Sequence, residues 1–117
     1  MQNKLCHFEI ATRNKNKAIK FYTSIFNWNV KWDDKMDYGM IDTGAPPGGG
    51  LFVAKENMPL SVSMYILVES IEDTLKKVET NGGKIIHPKT EIPNMGWFAY
   101  LADPEGNVLG IYEGMKK

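Results

Sequence analysis

The sequence predicts an α+β fold made of two βαβββ units, each a curved mixed sheet backed by one helix, with the two units forming a concave cleft. Two observations support this prediction. A strand pattern, a helix pattern and three further strand patterns occur twice in the same order. A shift of 56 positions superimposes the halves and aligns Ile19 with Leu75 and the helix-ending Asn27 with Gly83. We therefore expect one domain whose repeat units span about residues 4–56 and 60–115.

The elements of the first unit follow from the spacing of its apolar residues. Phe8 and Ile10 alternate with His7 and Glu9, which is the period of a strand with one buried face. Asn14 offers an N-cap side chain for the helix that follows. The side of this helix expected to face the core carries Ala18, Ile19, Tyr22, Ile25 and Phe26. The predicted order is a strand at 5–11, a helix ending before Asn27, strands at 28–32 and 36–42, a glycine- and proline-rich loop at 43–50 and a short strand at 51–53.

The second unit repeats this order. Its first strand, residues 61–68, places Met64 and Ile66 on the face expected to contact the helix. Ser70 begins the helix, and the run Asn81-Gly82-Gly83 ends it. The segment 103–107 suits a turn, because its proline fixes a negative φ and its glycine accepts a positive one. The remaining strands are predicted at 84–86, 96–102 and 108–113.

Composition and charge exclude several classes of function. Lys plus Arg and Asp plus Glu are both 14, and no basic stripe stands out, so a nucleic-acid partner is not expected. The longest apolar runs are about six residues, far short of the roughly 18 that a membrane span needs. One cysteine and two histidines allow neither an internal disulfide nor a four-residue Cys/His zinc cluster. We expect a cytoplasmic protein without a membrane partner.

Two stretches carry a resemblance to a known family. The first is His7-Phe8-Glu9-Ile10 with the following helix, and the second is the aromatic strand and Asp-Pro-Glu-Gly-Asn turn at 95–107. On these residues the chain resembles the vicinal oxygen chelate superfamily, over roughly residues 4–114. This superfamily includes glyoxalase I, bleomycin-resistance proteins, fosfomycin-resistance enzymes and extradiol dioxygenases. The resemblance implies the glyoxalase/bleomycin-resistance fold.

The resemblance also implies where a metal would bind, since metal-dependent members place ligands at four positions facing the cleft. Here these positions fall on His7, on the stretch 50–53, on Ser63 and on Gly110. Only His7 is a good ligand, because serine is a poor one and the other positions have no donor side chain. Glu9 could add one oxygen. We therefore expect neither a metal site of the family's kind nor another cofactor.

Strand alternation selects the residues expected to bind a ligand. These residues face away from the helices or lie on neighbouring strands: His7, Glu9, Phe52, Ser63, Tyr65, Phe98 and Tyr100. Alternatively, the aromatic members of this set only fill space between the sheets. His87 is expected to be an exposed loop residue, and no catalytic residue is assigned.

Three interpretations of function remain open. In the first, the protein binds a small molecule without a metal, as bleomycin-resistance proteins do. In the second, it is a metal-dependent lyase or isomerase similar to lactoylglutathione lyase, using His7 and Glu9. In the third, it is a protein-interaction module with a vestigial cleft. The absence of donors at Gly50 and Gly110 favours the first interpretation. The resemblance to bleomycin-resistance proteins also implies a homodimer.

Overall fold

The computed structural model describes residues 3–115, which form eight strands and two helices in a mixed α+β fold. Within these residues no helix is long and apolar enough to cross a membrane. The elements in chain order are β1 (Leu5–Thr12), α1 (Lys15–Phe26), β2 (Asn29–Asp33), β3 (Tyr38–Asp42), β4 (Gly48–Val53), β5 (Val62–Leu67), α2 (Ile71–Thr80), β6 (Lys84–Ile92), β7 (Gly96–Ala102) and β8 (Val108–Gly114).

The chain divides into two compact units. The first unit comprises residues 7–63, and the second comprises residues 3–6 together with 64–115. The N-terminal residues belong to the second unit because the backbone N–H of Asn3 donates to the carbonyl of Leu67, and the N–H of Leu67 donates to the carbonyl of Lys4. The second compact unit is therefore discontinuous in sequence.

The first unit is a four-stranded mixed sheet with α1 on one face. Its strands lie in the order β2-β3-β4-β1, with β1 and β4 parallel and the other pairs antiparallel. Ile10, Ile41 and Leu51 form the buried core, because strand alternation places all three on the same face. The helix and the strand that follows it cover this core with Ala18, Ile19, Tyr22, Trp28, Val30 and Trp32.

The second unit has the same arrangement. Its strands lie in the order β5-β8-β7-β6, with β5 and β8 parallel and the other pairs antiparallel. Its core residues are Val68, Ile71, Leu75, Ala99, Leu101 and Ile111. The internal repeat predicted from the sequence is therefore present in the secondary structure and strand order of both units.

The two helices begin at equivalent positions of the repeat but end at different ones. Asn14 caps α1 by accepting from Lys17 N, and Ser70 caps α2 by accepting from Asp73 N. Asn27 ends α1 in the left-handed conformation at φ 57°. In the second unit the left-handed residue is Gly82 at φ 90°, so the predicted alignment of Asn27 with Gly83 is wrong by one residue. The helix α2 is two residues shorter than α1, but Asn81, at a negative φ, separates the end of α2 from Gly82, so the net offset is one residue.

Two strand boundaries of the first unit also differ from the prediction. β4 begins at Gly48, because the glycines predicted to form a loop pair instead with β1, Gly48 with His7 and Gly50 with Glu9. β3 begins at Tyr38, two residues later than expected, because Asp33 Oδ1 accepts from the backbone N–H groups of residues 35 and 36 and holds them in a turn.

Glycines are tolerated inside β4 because aromatic rings occupy the space of their missing side chains. A β-carbon on Gly49 would overlap the ring of Phe8, which is its partner on β1. A β-carbon on Gly50 would overlap the phenol of Tyr38. In β8, a β-carbon on Gly110 would overlap the ring of its partner Tyr65. Both units therefore use glycine where a ring lies directly over the backbone.

The sixth strand corrects a further prediction. β6 continues to Ile92 instead of ending at residue 86, and it contains two irregularities in its pairing with β7, between Ile85 and His87 and between His87 and Thr90. Pro88, which lacks a backbone N–H, lies in the second irregularity, where a ladder hydrogen bond is not required. His87 is exposed as predicted but lies within this strand and not in a loop.

Three residues predicted to face the core are exposed. Ile25 and Phe26 are more than half exposed, because the core contacts of α1 come from its residues 18, 19 and 22. Phe26 instead packs against Trp28 at the surface, with ring centroids 5.3 Å apart. Met64 is also exposed, whereas Ile66 packs against the core as predicted.

The turn between β7 and β8 forms as the sequence indicates. Asp103 Oδ1 accepts from the backbone N–H groups of Glu105 and Asn107, and Oδ2 accepts from the side chain of Asn107. These hydrogen bonds, above all the one from the Asn107 side chain, lower the pKa of Asp103. Gly106 has a φ of 97°, which suits glycine. The turn therefore closes the hairpin between β7 and β8.

We predict that Gly49→Ala destabilises the protein by about 1–3 kcal/mol, because the Phe8 ring must leave its position. The neighbouring variant Gly48→Ala is the control. A β-carbon there would come no nearer than 3.4 Å to another residue, the Ile41 carbonyl oxygen, so its cost should be under about 0.5 kcal/mol. Urea denaturation of both variants measures the difference. Equal stability of the two variants would contradict this account of ring packing over β4.

Candidate functional site

Tyr38 joins two of the predicted site residues, His7 and Glu9, into one hydrogen-bonded group. Its phenol oxygen lies 2.8 Å from His7 Nε2 and donates to Glu9 Oε2 at 2.8 Å. His7 and Glu9 lie on β1, and Tyr38 is the first residue of β3. The strand register places all three on the sheet face opposite α1. We call these three residues the polar triad.

The hydrogen bonds of the polar triad fix the tautomer of His7. A phenol has one O–H, and Tyr38 uses it to donate to the Glu9 carboxylate. The phenol oxygen can therefore only accept from His7, so His7 Nε2 carries a proton. A short donor chain thus runs from imidazole to phenol to carboxylate. It orients a histidine, a tyrosine and an acid together on one face of the first unit.

Two opposing effects act on the pKa of His7. Burial disfavours the charged imidazolium and lowers the pKa, and the nearby Glu9 carboxylate opposes this by raising it. Burial is the larger effect, so the pKa of His7 lies below its ordinary value of 6.5. The neutral imidazole is therefore the form that the folded protein favours.

The residues present do not fit the metal site of the family. Of the four positions that the resemblance assigns, Gly50 and Gly110 lack side chains, and the phenol of Tyr38 and the ring of Tyr65 fill the space a side chain would need there. Within residues 3–115, no three His, Cys, Asp or Glu side chains lie close enough to hold a metal ion. Two donors, His7 and Glu9, leave too few ligands for a stable divalent site.

An open groove of about 680 Å³ lies in the first unit. This volume is within the range of small-molecule sites, roughly 300–1,000 Å³. Its polar lining includes Asn29, Lys31 and Asp42, and its apolar lining includes Met40 and Pro46. Asn29 and Lys31 pair with Asp42 and Met40 across β2 and β3, so these four side chains share one sheet face. It is the same face on which the polar triad lies.

The second unit carries aromatic residues on the equivalent face of its sheet. Tyr65 and Tyr100 are hydrogen-bonded through their hydroxyl groups, and their ring centroids are 5.8 Å apart. Phe98 packs edge-on against Tyr100 at 5.5 Å. His87 stacks on Phe98, with centroids 5.5 Å apart and ring planes within 5°. Three predicted site residues are therefore brought together here, and His87 joins them.

Two further predicted site residues, Phe52 and Ser63, lie outside these two groups, and one buried carboxylate, that of Glu113, lies on the other side of the sheet. Phe52 is half-buried and lies in β4 on the face of the polar triad, and Ser63 is half-buried in β5. Glu113 faces the opposite side, where its Oε1 accepts from the backbone N–H of Ile71 at the start of α2. This carboxylate supports a helix end and lies outside the candidate site.

Sequence reasoning missed Tyr38 and His87 as site residues. Tyr38 could have been found from β3, because its alternation places Tyr38 on the side opposite the core residue Ile41. Glycine inside a strand also indicates a close approach by another group, and at Gly50 that group is Tyr38. His87 had no comparable signal, because its position depends on the irregular pairing around Pro88.

Comparison with known proteins adds independent information. The sequence model of the Glyoxalase/Bleomycin resistance protein/Dioxygenase superfamily matches residues 4–111. A Mycobacterium bovis protein named "Putative glyoxylase CFP32" is 27% identical over 90% of this chain, and this chain spans 43% of that protein's length. A "Glyoxylase-like domain-containing protein" of Didymella fabae is 26% identical, over 95% of this chain and 94% of that protein.

The fold is also similar to that of solved structures. Hypothetical protein BH1468 from Bacillus halodurans C-125 superimposes with a TM-score of 0.77 at 19% identity. The superposition covers 100% of this chain and 98% of that protein. At this identity the likeness shows a shared fold.

The lowered pKa of His7 predicts how stability changes with pH. The unfolded chain, with an ordinary histidine pKa of 6.5, binds a proton at a higher pH than the folded chain does. The free energy of unfolding should therefore fall as the pH drops from about 7 through 6.5 towards the lower folded value. In His7→Gln, urea denaturation at a series of pH values should show a shallower fall. An identical pH dependence in the two proteins would contradict the burial effect on His7.

Proposed function

The chain belongs to the Glyoxalase/Bleomycin resistance protein/Dioxygenase superfamily, and we propose that it binds a small molecule without the metal centre of the metal-dependent members. The polar triad takes the place of that centre in the first unit. It presents an imidazole, a phenol and a carboxylate on one sheet face. These groups recognise polar atoms of a ligand by hydrogen bonding and not by coordination.

One observation carries this proposal. The phenol of Tyr38 fills the space above Gly50 and is hydrogen-bonded to His7, the one good ligand at a family position, and to Glu9, two residues further along β1. A glutamate or histidine at position 50 would displace this phenol. A ligand side chain at position 50 and the phenol of Tyr38 in its present place therefore exclude each other.

The chemistry of the polar triad favours a ligand with hydrogen-bond donors. A carboxylate accepts several hydrogen bonds, so Glu9 can hold Tyr38 and also accept from a hydroxyl, amine or amide of a ligand. The groove in the first unit adds the charged groups of Lys31 and Asp42, with Met40 as an apolar surface between polar residues. We propose a small organic molecule that has both polar donors and an apolar part.

The remaining predicted ligand contacts are part of the same proposal. Phe52 is aromatic, Ser63 is polar, and both are half-buried, as residues that line a ligand site often are. Tyr65, Phe98 and Tyr100 form an aromatic cluster on a helix-free sheet face. Such rings suit the apolar or aromatic part of a ligand.

A second candidate function is a metal-dependent lyase or isomerase of the glyoxalase I kind. The names of the Mycobacterium bovis and Didymella fabae relatives favour it, since both contain the word glyoxylase. It would require a divalent metal held by His7, Glu9 and additional donors. The lack of donors at Gly50 and Gly110 is the reason that we place it second.

We predict that the protein, purified without chelator, contains well under one equivalent of zinc, nickel, manganese or iron. EDTA should leave its melting temperature unchanged, because a structural metal would add its binding free energy to folding and none is expected here. Elemental analysis and thermal denaturation provide the two measurements. Stoichiometric metal that is lost in His7→Ala would overturn the proposal.

A designed pair of variants tests whether Tyr38 replaces a ligand. The double variant Tyr38→Ala/Gly50→Glu removes the phenol and adds a third donor next to His7 and Glu9. Calorimetric titration with Zn²⁺ should show tighter binding than in the natural protein. Gly50→Glu alone, in which the phenol still fills the space, should lose stability instead. Equal Zn²⁺ affinity in all three proteins would show that position 50 does not control metal binding.

If a ligand binds through the polar triad, Tyr38→Phe should lose affinity for that ligand. This change removes one hydroxyl and leaves the ring over Gly50, so the fold should be retained. Compounds that raise the melting temperature of the natural protein in a small-molecule screen should bind Tyr38→Phe about tenfold more weakly. Glu105→Gln, in the β7–β8 turn, is the control and should bind as the natural protein does. Unchanged affinity in Tyr38→Phe would place binding elsewhere.

A further inference from the structure

Positive charge is concentrated around α1. Between Glu9 and Asp33 the sequence contains no acidic residue, yet it holds four cationic side chains just before and within α1. These are Arg13, Lys15, Lys17 and Lys20. This helix is therefore a local basic surface on a chain with no formal net charge, and at α1 it departs from the expectation that no basic stripe is present. The described residues place no carboxylate within ion-pairing distance of Lys17 or Lys20.

The same helix exposes large apolar side chains. Phe21 is 56% exposed and Ile25 is 59% exposed, and α1 contains no fully buried residue. The equivalent helix of the second unit differs, because α2 buries Ile71 and Leu75 and carries acidic residues in its first turn. The exposure of apolar residues is therefore a property of α1 and not of the repeated fold. Clustered exposed apolar side chains indicate an interaction surface.

Helix geometry places the apolar and basic residues side by side. Successive residues are separated by about 100° around the helix axis, so Lys17, Phe21 and Ile25 follow one another along a single flank. We call these three residues the α1 flank. The side of α1 most distant from its core contacts carries Ser24 and Lys20 instead. The apolar pair thus lies beside the helix crest and is bordered by lysines.

We propose that the α1 flank docks an acidic polypeptide segment that carries apolar side chains. Phe21 and Ile25 would contact its apolar residues, and Lys17 and Lys20 would pair with its carboxylates. Arg13 holds the loop carbonyls of Lys55 and Met58 at 2.8 Å and 2.6 Å, so it adds positive charge from a fixed position. Charge of one sign on the helix requires the opposite sign on the partner. This proposal does not depend on the small-molecule function.

Geometry and charge favour a polypeptide over other occupants. A flat lipid surface would meet the crest, where Ser24 and Lys20 lie, before it reached the apolar pair. A second copy packed flank to flank would bring the same lysines and no carboxylate from α1. A segment that lies alongside the helix reaches both the apolar pair and the lysines at once.

The test uses a synthetic helical peptide in which glutamates and leucines alternate at helical spacing. Fluorescence anisotropy measures its affinity for the full-length protein and for two double variants. Phe21→Gln/Ile25→Gln removes the apolar contacts, and Lys17→Glu/Lys20→Glu reverses the charge. Each should weaken binding at least about tenfold, and added salt should weaken binding of the natural protein. The altered residues are exposed, so circular dichroism should show unchanged helix content.

Matched controls separate the possible outcomes. Lys76→Glu/Lys77→Glu makes the same charge change on α2 and should leave peptide affinity unchanged. A peptide with glutamine in place of glutamate should bind about tenfold more weakly. No peptide binding, or equal binding by all variants, would overturn the proposal. The proposal would also be overturned if the protein forms a homodimer that dissociates only in Phe21→Gln/Ile25→Gln, because the flank would then bind a second copy. It would be overturned as well if the protein sediments with phosphatidylglycerol vesicles and this variant does not, because the flank would then bind a membrane.

Discussion

The packing of aromatic rings over glycine backbone is the constraint on which the rest of this structure depends. Phe8 lies over Gly49, Tyr38 over Gly50 and Tyr65 over Gly110. Each ring needs a neighbour without a β-carbon, so each glycine is fixed by its ring and not by a turn. On one face of β4 this packing closes the core of the first unit, and on the other it positions the phenol of Tyr38. The packing of the core and the position of the Tyr38 phenol therefore depend on two adjacent glycines, Gly49 and Gly50.

The same packing places a polar group on the helix-free sheet face of the first unit. His7 and Glu9 are half-buried on one strand, where polar groups are costly unless they are hydrogen-bonded. The Tyr38 hydroxyl satisfies both, since it accepts from the imidazole and donates to the carboxylate. The second unit, by contrast, places a buried tyrosine, Tyr65, over the equivalent glycine and groups it with further rings. The repeat thus conserves the backbone while its two sheet faces differ in chemistry.

The periodicity of apolar residues predicts the fold well, because it shows which face of each strand or helix is buried and depends only on neighbouring residues. The tandem units, the alternation around Ile10 and the caps at Asn14 and Ser70 all follow from short-range patterns. The sequence predicts loops at Gly48–Gly50 and at His87, because glycine and proline usually interrupt strands. The strands found there depend on the rings packed over β4 and on the irregular pairing of β6. The partnership of Tyr38 with His7 and Glu9 joins residues about 30 positions apart, so no local pattern could show it. The sequence also does not predict that Ile25 is exposed, because the spacing of apolar residues along a helix does not show how far the sheet extends beneath it.

We propose that the phenol of Tyr38 occupies the place of a metal ligand, and nuclear magnetic resonance of the histidine rings tests this most directly. Long-range ¹H–¹⁵N spectra report the tautomer of His7, and one equivalent of Mn²⁺ broadens the signals of any histidine that coordinates it. We expect His7 to be protonated at Nε2 and the line widths of its signals to stay the same when Mn²⁺ is added. A His7 protonated only at Nδ1, with signals lost on adding one equivalent of Mn²⁺, would contradict it.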